Sequence, residues 1–184
     1  IGSDGLGDGY YPLLGNGGYD VQNYAIELEV NMDTQFLQST VTIDAIATTS
    51  LSQFNLDFIG FTIFELTVNS IPAEFDHQSS ELVIMPSETL TAGAPFTVVI
   101  SFYGIPEHRL PDEYDSDIGW SPYEGGVMVA GEPMGSAGWY PVNQHPLDKA
   151  TYLFEITVPK PYIVAANGIL LNEIESQNKN TFIW

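Results

Sequence analysis

Apolar and polar residues alternate along most of this chain. In "NYAIELEVN" the residues Tyr24, Ile26, Leu28 and Val30 fall on one side, and Glu27 and Glu29 on the other. "STVTIDAIAT" repeats the pattern with Val41, Ile43, Ala45 and Ala47, and "FTIFELTVN" with Phe64, Leu66 and Val68. "PFTVVISFYG" does so with Phe96, Val98, Ile100 and Phe102, and "ATYLFEITVP" with Tyr152, Phe154, Ile156 and Val158. A side-chain period of two is that of a strand with one buried face. Shorter apolar runs, Phe54–Phe58, Leu82–Met85, Val127–Ala130, Ile163–Ala166 and Thr181–Trp184, predict further strands. Turn-forming stretches lie between the runs: "VNSIP", "SSE", "TAGAP", "PKP" and "ANG", the last read as a primed hairpin turn. No window of helical length carries an apolar period of 3.6. The expectation is an all-β fold, an antiparallel β-sandwich or a saddle of similar construction.

Two stretches interrupt the alternation. Residues 104–126 form a long acidic, proline-bearing loop, and residues 131–148 form another. Long loops inside a compact domain commonly carry function. Residues 1–18 are glycine-rich and read as a flexible lead-in, with Tyr10, Tyr11, Leu13 and Leu14 expected to dock on the domain. Residues 19–184 then form a single β-domain. The closing "NTFIW" reads as a strand stopped in mid-pattern, and the first residue is not Met, so a piece of a longer, processed chain is expected.

Charge narrows the function classes. There are 24 acidic residues against Arg109, Lys149, Lys160 and Lys179, a formal net charge of −20. Such a surface repels phosphate backbones and anionic bilayers, so neither nucleic acid nor membrane is expected as a partner. No run of about 18 apolar residues is present to span a bilayer. The acidity and the absence of cysteine fit an extracellular or cell-envelope protein. Without cysteine there is no disulfide, no thiolate nucleophile and no Cys-type zinc site.

Candidate chemistry is sparse. No His-Glu-x-x-His, nucleophile elbow or phosphate-binding loop occurs. His77, His108 and His145 stand far apart, each in a polar stretch read as a surface loop. Asp112, Glu113, Asp115 and Asp117 crowd together, but counting from Asp115 puts neither the glycine nor the closing glutamate where an EF-hand needs them. A solvated acidic loop is the stronger reading there, and an irregular calcium site the weaker one. Trp120, Tyr123, Trp139 and Tyr140 leave a sugar-binding platform open.

One stretch is more specific. "WYPVNQHPLDKATYLFEITVP" followed by "VAANG" resembles the segment that closes the N-terminal domain of aminopeptidase N-like zinc peptidases. The matching residues are Tyr140, Pro141, Pro146, Lys149, Ala150, Thr151, Tyr152, Val158, Pro159, Asn167 and Gly168. "YDVQNYAIELEVN" resembles the first strand of that domain, and "LSQFNLDFIGFTIFELTVN" its middle, so the likeness runs from Tyr19 to Trp184. The chain departs from the pattern at Val142, Gln144 and His145.

The resemblance implies a saddle-like β-domain packed beside a catalytic domain of the same chain, which is absent here. Zinc and its ligands belong to that catalytic domain, and no cofactor is expected in these residues. It also implies a loop of pattern Gln-x-Glu, shortly before the aromatic-Pro pair, whose glutamate binds the free α-amine of a peptide substrate. Counting back from Tyr140 without a gap puts Glu132 at the glutamate and Ala130 at the glutamine. Gly131 would shape that loop and Met134 would line the cleft. Pro141 and Pro146 would fix the return into the next strand, and Lys149 would pair with a carboxylate. The alternatives are an interaction or scaffold sandwich derived from a peptidase, and a carbohydrate- or calcium-binding module.

Overall fold

The computed structural model describes residues 1–106, 119–131 and 134–184. His108, Arg109, the acidic cluster from Asp112 to Asp117, and Glu132 with Pro133 lie outside the described residues. The strands are β1 (Tyr19–Asn31), β2 (Phe36–Ala47), β3 (Phe54–Asp57), β4 (Thr62–Val68), β5 (Ile71–Pro72), β6 (Glu74–Gln78) and β7 (Glu81–Met85). They continue with β8 (Pro95–Gly104), β9 (Gly119–Tyr123), β10 (Gly126–Ala130), β11 (Thr151–Pro159), β12 (Asn172–Glu175) and β13 (Lys179–Ile183). A single 3-10 turn, Ser136–Gly138, precedes β11.

An eight-stranded sheet runs β12-β13-β11-β1-β2-β8-β4-β5. A three-stranded sheet, β3-β7-β6, and the β9–β10 hairpin complete the fold. Every ladder is antiparallel except β1 with β11, which pair in parallel with Tyr24 opposite Tyr152 and Leu28 opposite Ile156. Aromatic contacts tie the two larger sheets together. Phe54 of β3 meets Tyr19 of β1 and Phe96 of β8 edge-on, at 5.6 and 5.4 Å between ring centres. Phe102 of β8 meets Phe58, the residue after β3, in the same way at 4.8 Å. This is the sandwich that the alternation predicted.

The predicted inward faces of β1, β2 and β8 are all buried. Three other faces differ. In β4 the register shifts between Ile63 and Glu65 against β8. That bulge turns Phe64 outward to 56% exposure, against the ring of Tyr103, and leaves Leu66 and Val68 at 4%. On β11, Tyr152 is 43% exposed, Phe154 and Ile156 are partly covered, and Val158 is buried. Residues 163–166 form no strand: β13 already occupies the edge of β11, so this run has no ladder to join. The bend at Asn167-Gly168 accordingly joins no two strands as a hairpin. His77 lies on β6, not in a loop, with its ring stacked on Phe58.

The glycine-rich residues 1–18 are hydrogen-bonded to the domain. The Gly2 N–H donates to the Gln53 carbonyl at 2.8 Å, and Asp4 bridges Asn16. Tyr10 and Leu13, expected to dock, are exposed, and it is Asn16 that is buried. Gly15 has φ +69°, and a Cβ there would stand 2.5 Å from the His145 Cβ, so the close approach requires glycine.

Asn16 and Asn143 hold this region together. The Asn143 Oδ1 accepts from the Asn16 N–H at 2.6 Å, and its Nδ2 donates to the Asn16 carbonyl at 3.2 Å and to Asp148. The Asn143 N–H donates to the Tyr24 hydroxyl at 3.0 Å. Asp57 and Val142 exchange backbone bonds at 2.8 and 3.0 Å. The Asp57 Oδ2 accepts from Asn16 Nδ2 and from the Gln144 N–H, at 3.2 and 2.9 Å. Burial pushes the Asp57 carboxyl up to about 6 despite those donors. Burial, with the Asp57 charge added, pushes Glu81 up to about 7.

Two predictions follow from this architecture. Leu66→Ala should lower the unfolding free energy by about 2–5 kcal/mol, and Phe64→Thr by less than about 1 kcal/mol, in urea titrations; equal losses would remove the bulge. For Asp57 and Glu81 the folded pKa lies above the unfolded one. Their contribution to stability is therefore full below about pH 4 and is lost as pH rises through 6 to 7. In chelator-treated buffer the urea midpoint should be lower at pH 8 than at pH 5, and the Asp57→Asn, Glu81→Gln double variant should flatten the difference.

Candidate functional site

The loop between β10 and the 3-10 turn is anchored at both ends. Ala130 closes β10 opposite Gly119 and is half-buried, and Gly131 is exposed. A Cβ on Gly131 would stand 3.0 Å from Ser136 Oγ, so the two ends of the loop approach each other closely. On the return side, Met134 and Gly135 are buried, and Gly135 has φ +116°. Met134, expected to line a cleft, is 5% exposed in this chain.

Gln144 supplies what the loop's own sequence lacks. Its Oε1 accepts from the Gly135 N–H at 3.1 Å and from the Ala137 N–H at 3.0 Å. Its backbone N–H is the donor to Asp57. One residue thus ties the loop base to the buried face of β3. The sequence showed Gln144 only as a departure from the family pattern. No other signal marked it, because its partner Asp57 lies far away in the chain.

Behind the loop stands an aromatic wall. Trp139 and Tyr140 meet edge-on at 4.4 Å, Tyr140 meets Tyr24 at 5.8 Å, and Tyr24 stacks on Tyr152 at 5.1 Å. Burial pushes the hydroxyls of Tyr24 and Tyr140 up, so both stay neutral hydrogen-bonding groups. Trp120 reaches across to Gln35, its Nε1 donating to Oε1 at 2.9 Å. Trp120, Trp139 and Tyr140 are each 9% exposed or less, so of the four aromatics in the sugar-platform reading only Tyr123 presents its ring to solvent.

A cavity of about 520 Å³ lies beside this wall, with Trp120, Val127, Trp139, Phe154, Ile156 and Tyr162 among its lining. No carboxylate, histidine or lysine of the described residues faces it.

The remaining candidates among the described residues do not assemble. Lys149 is exposed and makes no ion pair among the described residues. The His145 side chain is buried with Nε2 4.0 Å from Asp8, whose carboxyl is held low by the N–H groups of Tyr10 and Tyr11. Burial raises the Asp148 carboxyl, which accepts the Val21 N–H at 3.0 Å. Among the described residues no three His, Asp or Glu side chains come together as a metal site. Among the described residues the arrangement positions the loop ends and brings no nucleophile and base together.

Comparison with known proteins identifies this arrangement. Residues 20–184 match the Peptidase M1 N-terminal domain. Among solved structures, an M1 zinc metallopeptidase from Deinococcus radiodurans is 28% identical with a TM-score of 0.88. A variant of that enzyme bound to a Tyr-Ser-Ala substrate is 28% identical at 0.90, and a two-domain M1 zinc metallopeptidase variant bound to L-arginine is 27% identical at 0.91. Each comparison covers 98% of this chain and 42% of the other, so the chain spans less than half the length of these relatives. The fold, the order of its strands and this match agree, and the chain belongs to the peptidase M1 N-terminal domain family.

Proposed function

We propose that this chain is the non-catalytic N-terminal domain of a secreted zinc aminopeptidase, and that the loop after β10 anchors the α-amine of the peptide substrate through Glu132. The observation that carries the reading is the family match over residues 20–184, set beside two-domain zinc metallopeptidases of which the chain covers 42%. Zinc would be held by the parent's catalytic domain, where it polarises the scissile carbonyl and activates water. The ligands recorded in the relatives, a Tyr-Ser-Ala peptide and L-arginine, each present a free α-amine.

The chain's own residues support the loop's part. Ala130 and Gly135 are held at the two ends, by the β9–β10 ladder and by Gln144, with Glu132 between them in sequence. A carboxylate on such a frame can meet an ammonium with charge-assisted hydrogen bonds, which is how an exopeptidase measures the end of a chain. The surface supports a covering domain. Ile163, Ile169 and Leu171 are 80%, 77% and 65% exposed, and Leu153 and Ile174 are also exposed. Apolar exposure of this kind marks an interface, and the catalytic domain is the partner proposed for it. The excess of acidic residues goes with an extracellular or envelope location.

In the full-length protein, Glu132→Ala should lower kcat/KM on free-amine dipeptide substrates about 10- to 100-fold, the scale of a lost charged hydrogen bond. Equal kinetics would remove Glu132 from the site. Gln144→Ala leaves the N–H groups of Gly135 and Ala137 without their acceptor and should lower stability by about 1–3 kcal/mol in urea titrations.

A further inference from the structure

Strand β3 is buried on both faces. Phe54 and Leu56 point into the apolar core, and Asn55 and Asp57 lie on the opposite face at 6% and 3% exposure. Glu81 of β7 stands directly opposite Asp57 in the antiparallel pair, so their Cβ atoms share a face about 5 Å apart. Asn16, 1% exposed, comes down onto this face from the N-terminal segment. Its Nδ2 is committed to Asp57, which fixes its Oδ1 as an acceptor. The Asn55 and Asn16 amides donate toward the Glu81 carboxylate, and Asp4 adds its charge.

Three oxygens here are left over after those donors are used. Asn16 Oδ1, Asn55 Oδ1 and Glu81 Oε2 are buried and receive no hydrogen bond. No ion pair among the described residues engages Asp57 or Glu81. A water has two protons, so one water can neither satisfy three acceptors nor neutralise two carboxylates. A hard cation does both.

We propose that Glu81, Asp57, Asn16 and Asn55 form a calcium site that pins the N-terminal segment onto β3. The donor set is all oxygen, carboxylate and amide carbonyl, which suits Ca²⁺ and not a metal that seeks nitrogen or sulfur. Magnesium holds its waters and a strict octahedron, whereas calcium accepts a mixed shell completed by water. Asp57 already accepts two hydrogen bonds through Oδ2, so its part is charge as much as coordination. The site lies behind the loop anchor, because Asp57 also holds the Gln144 N–H. The proposal does not depend on the role proposed for Glu132.

Tyr19 provides the probe. Its hydroxyl donates to the Asn55 carbonyl at 2.6 Å, so light absorbed by Tyr19 can sensitise terbium bound in place of calcium. The full-length protein is treated with EGTA and titrated with Tb³⁺, then with Ca²⁺. The expected result is tyrosine-excited terbium emission that calcium removes, and a rise in melting temperature of about 5 °C at saturating calcium. Both effects should be lost in Glu81→Gln, which keeps the shape and removes the charge. Emission and stabilisation unchanged in Glu81→Gln would place any bound calcium elsewhere and overturn the proposal. Should that variant fail to fold, calorimetry on the unmodified protein decides: no heat at millimolar calcium overturns the site, and heat lost in Asn55→Ala supports it.

Discussion

Asn143 is buried, and the structure around it depends on its bonds being made. Its amide joins Asn16 in both directions and reaches Asp148, and its backbone donates to Tyr24. An unpaired buried amide costs about 1–3 kcal/mol, so these partners are held in place together or not at all. Through them the first residues of the chain, the middle of β1 and the approach to β11 share one position. The Asp57–Val142 exchange adds β3 to the same knot.

That knot lets a long excursion end in register. β1 and β11 pair in parallel across more than a hundred intervening residues, and parallel pairing gives no tight turn to set the alignment. The return segment sets it instead: Val142 bridges β3, Asn143 bonds Tyr24 and Asn16, and Thr151 then enters opposite Asn23. The loop ahead of this segment inherits the order. Gln144 is one residue beyond Asn143, and it carries the loop base with it. The return side of that loop, at Gly135 and Ala137, owes its position to the Gln144 amide.

The charge of the molecule has a local counterpart. The chain has a formal charge of −20, and of its acids Asp57 is buried, with Glu81 half-buried beside it. They face each other on the buried polar side of β3, among carbonyl oxygens that lack donors. Two carboxylates placed so need protons or a cation. The pH dependence of the metal-free chain and the calcium site are two consequences of this one arrangement.

The sequence by itself determined the strands whose one face is dry. The alternation at Tyr24–Val30, Val41–Ala47 and Phe96–Phe102 is read directly because each has a single buried side, and the ordered motifs from Tyr19 to Trp184 carried the family. Only the tertiary structure decided the rest. Phe64 turns outward because of a bulge, which is a relation between two strands and leaves no mark in one. Residues 163–166 are not a strand because another strand already holds the available edge. β3 shows the same limit: "FNLD" alternates like any half-exposed strand, yet its polar side is buried, since what covers it is Asn16, far away in the chain. Periodicity reports which side of a strand is apolar. It does not report what comes to lie on the other side, and that contact is what places Gln144, the loop it holds and the carboxylate pair.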